Sequence, residues 1–283
     1  MNRLKLLVFV IAVLAFMQDV LAQSHYQLYA HRGGRWEQDE NTLSAFKNAY
    51  ENGLRGFETD IRLSADGVFV ISHDASLYRM TTSKGIVEEM NAADLRKVVT
   101  KQGNPLLFLE DFLKFFADKP GAYLELEMKT TDTLAYPQKK LEKFCDDLYK
   151  VVMATKPATS TYVFITFDYR AVRYMAKKYP NADLLITQNK PCNDEMIKLA
   201  QDLGVKRLGS TLKGTSRESI LKANKLGIIV SSWPVTTVAE YMLAISLGFD
   251  RVNSDNPIHI QKWAEKNYAT FKNWIDIPTP NTK

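Results

Sequence analysis

Short apolar runs recur along this chain, and most are followed by a longer stretch in which apolar positions return every three or four residues. The short runs lie near residues 26–30, 57–61, 123–128, 162–166, 183–187, 206–209, 227–232 and 250–253. Their length and their content of Val, Ile, Leu, Tyr and Phe predict strands. Helical spacing marks Thr42 to Asn52, Gln138 to Val152 and Glu195 to Leu203, among others. Repeated strand–helix units imply an α/β protein with a parallel sheet, and eight of them imply a closed TIM (β/α)8 barrel.

One run breaks the rhythm. Val68 to His73 reads as a strand, but only Leu63-Ser64-Ala65-Asp66-Gly67 separates it from the second strand. A parallel crossover needs a dozen or more residues, whereas Asp-Gly is a hairpin signal. The run is therefore predicted as an extra antiparallel hairpin strand outside the eight. A turn centred near Ala65 and Asp66 would set Glu58 across from His73. Residues from about 74 to 105 are polar and irregular and read as a small inserted cap with one short helix. A helix from Leu107 to Asp118 then returns the chain to the third barrel strand.

Strand parity turns the acidic residues into candidates. In Phe57-Glu58-Thr59-Asp60-Ile61, Glu58 and Asp60 share one face. In Leu124-Glu125-Leu126-Glu127-Met128-Lys129, so do Glu125, Glu127 and Lys129. The other face is apolar and must lie under the helices, so these charged residues point into the barrel. Buried carboxylates are costly unless paired or bound to metal. Several hard oxygen donors on two strands suit magnesium or calcium. The competing reading is a buried salt-bridge network with Lys129 and Arg62.

Two of the four histidines end predicted strands: His31, before Arg32-Gly33-Gly34, and His73, before Asp74. Histidines beside inward acids suit proton transfer near neutral pH. The glycines allow backbone amides to approach an anion, and Arg32 can bind phosphate oxygens. His25 and His259 read as structural or exposed.

The N-terminus adds a leader. Asn2-Arg3-Leu4-Lys5 is basic, Leu6 to Phe16 is an uninterrupted apolar run, and Gln18 to Ala22 ends on a small residue. That order predicts a secretory signal over residues 1–22, cleaved after Ala22, and export to the periplasm or beyond the cell. The barrel domain then spans 23–283, its tail after Asn267 packing through Phe271 and Trp274. The run is too short to span a bilayer, so no stable membrane insertion is expected once the leader is removed. The composition, 46% hydrophobic and 24% charged, is that of a globular protein, and the net charge of +5 is spread along the chain. No basic stripe or nucleic-acid motif accompanies it, which argues against a nucleic-acid partner. Cys145 and Cys192 are too few for a disulfide scaffold and fall on separate barrel units, so both are expected as free thiols.

Taken in order, His31-Arg32-Gly33-Gly34, Glu40-Asn41-Thr42 with Ala45-Phe46, Glu58-Thr59-Asp60, Asp66-Gly67, His73-Asp74 and Glu127-Met128-Lys129 resemble the glycerophosphodiester phosphodiesterase family. Trp233, Gly248-Phe249-Asp250 and Ser254-Asp255-Asn256-Pro257 resemble its later motifs. The resemblance runs from about Tyr29 to Pro257. It implies His31 and His73 as general acid and base, Glu58, Asp60 and Glu127 as ligands of a divalent cation (Mg2+ or Ca2+), and Arg32 and Lys129 on the phosphate. Trp233 would contact substrate, Glu40 would lie near the metal or its waters, and Asn41 would cap the first helix. Asp39 stands where the family usually has Pro. Pro234-Val235-Thr236 replaces its usual Thr-Val-Asn after the tryptophan. Both departures fall on the rim and bear on substrate choice.

The implied reaction is metal-dependent hydrolysis of a small glycerophosphodiester to glycerol phosphate and an alcohol. A phospholipase on the same barrel would need an apolar rim, for which the cap offers Leu77, Tyr78 and Met80. A non-catalytic glycerophosphodiester-binding protein would not need the histidine pair.

Overall fold

The strand–helix units read from the sequence are present in the computed structural model, which describes residues 27–271, with side chains described through residue 267. The leader, its cleavage point, His25 and the tail packing through Phe271 and Trp274 lie outside what is described. Strand β1 is Gln27–Ala30, β2 Gly56–Leu63, β3 Phe69–Ile71, β4 Tyr123–Met128, β5 Thr161–Thr166, β6 Asp183–Pro191, β7 Arg207–Thr211, β8 Ile229–Val235 and β9 Arg251–Ser254. All but β3 pair in parallel, in the order β1-β9-β8-β7-β6-β5-β4-β2, and the β1–β2 pairing of Ala30 with Phe57 closes the ring. The helices around the barrel are α1 (Leu43–Glu51), α2 (Leu109–Phe116), α3 (Gln138–Thr155), α4 (Tyr169–Lys178), α5 (Asp194–Leu203), α6 (Arg217–Lys225), α7 (Val238–Leu247) and α8 (Pro257–Phe271), and the cap holds one short α-helix over Ala92–Leu95.

Helix α3 shows why the helices pack as they do. Leu141, Phe144, Cys145, Leu148 and Val152 recur at helical spacing and are all buried. They meet the outward residues of the strands, among them Leu124, Leu126, Met128 and Phe164, in one continuous core. Several helix starts are fixed by side chains. Thr237 and Glu240 form a reciprocal capping box on α7, and Asn193 and Ser216 cap α5 and α6. Among the described residues no helix is long and apolar enough to cross a membrane.

Strand β3 is antiparallel to β2, as expected, but its register is one residue from the expected one. Ile61 pairs with Ile71, Arg62 with Val70 and Leu63 with Phe69. Extrapolated, that register sets Thr59, not Glu58, across from His73. The turn centres on Asp66 because Ser64 organises it. Its hydroxyl donates to Asp66 and accepts from the Val68 amide, and its own amide bonds the Val68 carbonyl. The cap beyond Asp74 has a small core of its own, in which Leu77, Val87, Ala92 and Leu95 pack on Val70 and Phe108. Leu77 is thus unavailable to the rim, while Tyr78 is 61% exposed.

Candidate active site

The sequence-predicted residues converge at the C-terminal ends of the barrel strands, where TIM-barrel sites are built. Strand β1 ends at Ala30, and His31, Arg32 and Gly33 form a tight turn. Arg32 adopts a left-handed backbone at φ 52, uncommon for a side-chain-bearing residue. In that turn its amide donates to Glu58 Oε2 at 3.1 Å, its Nη1 donates to Glu40 at 3.2 Å, and its Nε lies 3.3 Å from Asp60. Gly33 serves close packing, since a Cβ there would come within 2.8 Å of the Ala45 Cβ on α1.

Glu58, Asp60 and Glu127 each offer an oxygen, and the three lie within 4.8 Å of one another. Strands β2 and β4 pair with Asp60 beside Glu127, which brings the carboxylates together. Lys129 donates to Glu127 at 2.8 Å and lies 3.4 Å from Asp60. Burial pushes Glu58 well above the usual carboxylate range, helped by the charges of Asp60 and Glu127. Glu127 is pushed up to about 7 by burial and Asp60, against the pull of Lys129. Burial also opposes the charge on Asp60, but Lys129, Arg32 and His73 outweigh it and hold that carboxyl low. Buried Glu58 Oε1 and Asp60 Oδ1 have no hydrogen-bond partner. Three carboxylates facing two fixed cations, with buried oxygens still unsatisfied, fit a hard divalent cation. The salt-bridge alternative holds for Lys129 only. Arg62 turns away, giving two hydrogen bonds to the His73 carbonyl and one to Glu88.

Each histidine is held by a carboxylate. His31 Nδ1 lies 2.5 Å from Asp255 Oδ1, and its Nε2 lies 3.7 Å from Glu58. His73 Nδ1 lies 2.7 Å from Asp74. Burial lowers both imidazoles below the usual range. Asp255 opposes this at His31, and Asp60 and Asp74 oppose it at His73. An Nδ1 tied to a carboxylate leaves Nε2 free to exchange a proton.

Several partners were not assigned a role from sequence. Asp255 holds His31 and is itself bound by Arg35 at 2.8 Å. Arg79 of the cap reaches both oxygens of Glu40, at 3.0 and 2.6 Å, and Asp74 at 2.5 Å. Glu40 therefore sits between two arginines and is not one of the three clustered carboxylates. Asn41 does not cap α1; the Thr42 side chain does, accepting from the Ala45 amide. Asn41 has a left-handed backbone at φ 58 and donates to Asp60 at 2.8 Å while accepting from Thr59. It orients a carboxylate of the cluster.

His31, His73, Glu58, Glu127 and Lys129 line one cavity of about 310 Å³ with Trp233 on its far wall. The Trp233 indole donates to Thr187 at 3.2 Å and meets Phe167 edge-on at 5.7 Å. Both cysteines are free and buried.

The glycerophosphoryl diester phosphodiesterase family model matches residues 31–259. A glycerophosphodiester phosphodiesterase of Bacillus altitudinis is 37% identical over 112 residues, a stretch covering 37% of this chain and 46% of that protein. Glycerophosphodiester phosphodiesterase 1 of Bos taurus is 35% identical over 82 residues, covering 29% of this chain and 25% of that protein. The matched stretches thus span less than half of these curated relatives. Among solved structures, an Oleispira antarctica phosphodiesterase in complex with the product sn-glycerol-3-phosphate aligns with a TM-score of 0.77 at 22% identity, covering 84% of this chain and 96% of that one. A glycerophosphodiester phosphodiesterase from Parabacteroides distasonis aligns with a TM-score of 0.73 at 21% identity, over 87% and 100%. At these identities the structural likeness speaks for the fold.

Proposed function

Because this chain belongs to the glycerophosphoryl diester phosphodiesterase family, we propose that it hydrolyses small glycerophosphodiesters to glycerol phosphate and an alcohol. The observation that carries the proposal is the meeting of three carboxylates, two of them with unsatisfied buried oxygens, beside two carboxylate-held histidines, with Glu58, Glu127 and both histidines lining one cavity. Glu58, Asp60 and Glu127 would hold a magnesium or calcium ion. When bound, such an ion neutralises phosphate charge and lowers the pKa of an attacking hydroxyl. Arg32 and Lys129 bind phosphate oxygens and oppose their charge. Of His31 and His73, one takes the proton of the attacking hydroxyl and the other gives a proton to the departing alcohol. Trp233 packs against the organic part of the substrate. The leader pattern of residues 1–22 supports action outside the cytoplasm.

The test is release of choline from glycerophosphocholine, and separately from phosphatidylcholine vesicles, each with and without chelator. Soluble diester should be cleaved, chelation should abolish turnover, and magnesium or calcium should restore it. Full activity in metal-stripped protein would remove the cation from the account. Cleavage of vesicles alone would replace the reading with a phospholipase.

A further inference from the structure

Beneath the carboxylate cluster the cavity continues toward the barrel floor, and the groups there have no assigned role. Glu125 lies on β4 two residues before Glu127, a rise of about 6.6 Å along the strand. It is 1% exposed and lines the same cavity. Its Oε1 accepts from the Tyr123 hydroxyl at 2.5 Å, with the Ser231 hydroxyl at 3.5 Å and the Tyr29 hydroxyl also directed at the carboxyl, while Oε2 is left without a well-formed hydrogen bond. Asn253 on β9 is 6% exposed, lines the cavity and leaves Oδ1 without a partner. Two unpaired acceptors withdrawn from solvent at the foot of one cavity are costly unless a donor reaches them.

The wall between them is kept open. Thr187, Gly209 and Ser231 sit side by side on β6, β7 and β8 and all line the cavity. A Cβ at Gly209 would come within 2.5 Å of Thr187 Oγ1. Glycine thus lets Thr187 keep its place, from which it accepts the Trp233 indole hydrogen.

We propose that this floor is a polyol subsite, in which Glu125 and Asn253 accept hydrogen bonds from the hydroxyl groups of the substrate's glycerol end while its phosphate lies at the carboxylate cluster above. The chemistry selects the ligand. Both free atoms are acceptors, so the ligand group must donate. A phosphodiester or a trimethylammonium group has no donor hydrogen, whereas a glycerol end has hydroxyls. The inference deepens the proposed hydrolysis and rests on that reading for the phosphate's position.

The test compares affinities, by calorimetry, of glycerol 3-phosphate and inorganic phosphate for the full chain with magnesium present. Two hydrogen bonds to otherwise unpaired buried acceptors should favour glycerol phosphate by about tenfold or more. Glu125→Gln and Asn253→Ala should each shrink that ratio by about threefold or more. Asn253→Ala removes an oxygen that has no partner to lose, so it carries the comparison if Glu125→Gln does not fold. A wild-type ratio near one, or variants that retain the wild-type ratio, would overturn the subsite. Hydrolysis of glycerophosphocholine is followed separately. Hydrolysis with an unchanged ratio removes the subsite alone. The expected ratios without hydrolysis remove the enzymatic reading and leave the subsite standing.

Discussion

Asp255→Asn is the sharpest test of the proton-transfer scheme. The substitution keeps volume and removes one charge. In the wild type the Asp255 carboxylate lies 2.5 Å from His31 Nδ1, with both residues buried. A hydrogen bond to a charged partner in such surroundings is worth about 1.5–3 kcal/mol. Since 1.36 kcal/mol is tenfold in rate, kcat should fall by about 10- to 150-fold if the carboxylate stabilises the protonated imidazole only as it forms. KM should change little, because Asp255 is not among the residues proposed to bind phosphate. Arg35 also loses its partner, but that side chain is 35% exposed and can turn to water at small cost. The assay is glycerol phosphate release at saturating glycerophosphocholine, with magnesium affinity measured by calorimetry on the same sample. A kcat within about threefold of wild type would refute the argument. So would a loss matched by an equal loss of magnesium affinity, because the effect would then lie in the carboxylate cluster.

Three other outcomes are expected. His31→Ala and His73→Ala should each slow turnover by about 10²- to 10⁴-fold, and the loss at the residue serving as acid should shrink with a nitrophenyl leaving group; equal losses on both substrates for both variants would contradict a division of roles. Burial pushes both thiols up to about 12, so neither Cys145 nor Cys192 should react with a thiol reagent in native protein at pH 8, and two equivalents should react after denaturation. Protein recovered from its native host should begin at or near Gln23 by mass spectrometry, and an intact Met1-to-Lys5 start would exclude leader cleavage.

The barrel was legible because its signal is local and repeated. Parity within Phe57–Ile61 and Leu124–Lys129 was enough to bring Glu58, Asp60 and Glu127 to one axis. The hairpin register slipped by one because composition names a turn but does not fix its centre. Here the Ser64 side chain does that through two hydrogen bonds. Asn41 reads as a cap because Asn often caps helices. Its true role depends on contact with Asp60, 19 positions away. Asp255 and Arg79 were hidden for the same reason on a larger scale. Their partners His31 and Glu40 lie 224 and 39 positions away, and a single chain carries no sign of such pairings.

The meeting of β1 with β9 has a consequence for the order in which the protein is made. A ribosome produces His31 early, but the carboxylate that holds it arrives only with the last strand. Until then β1 and β8 each present an unpaired edge, open to wrong partners. A nascent or truncated chain ending before residue 251 would carry Glu58, Asp60, Glu127 and His73 and still lack the partner of His31. Closing the ring and joining His31 to Asp255 are therefore one late event in synthesis, so the chain cannot assemble this site before it has hidden its edges.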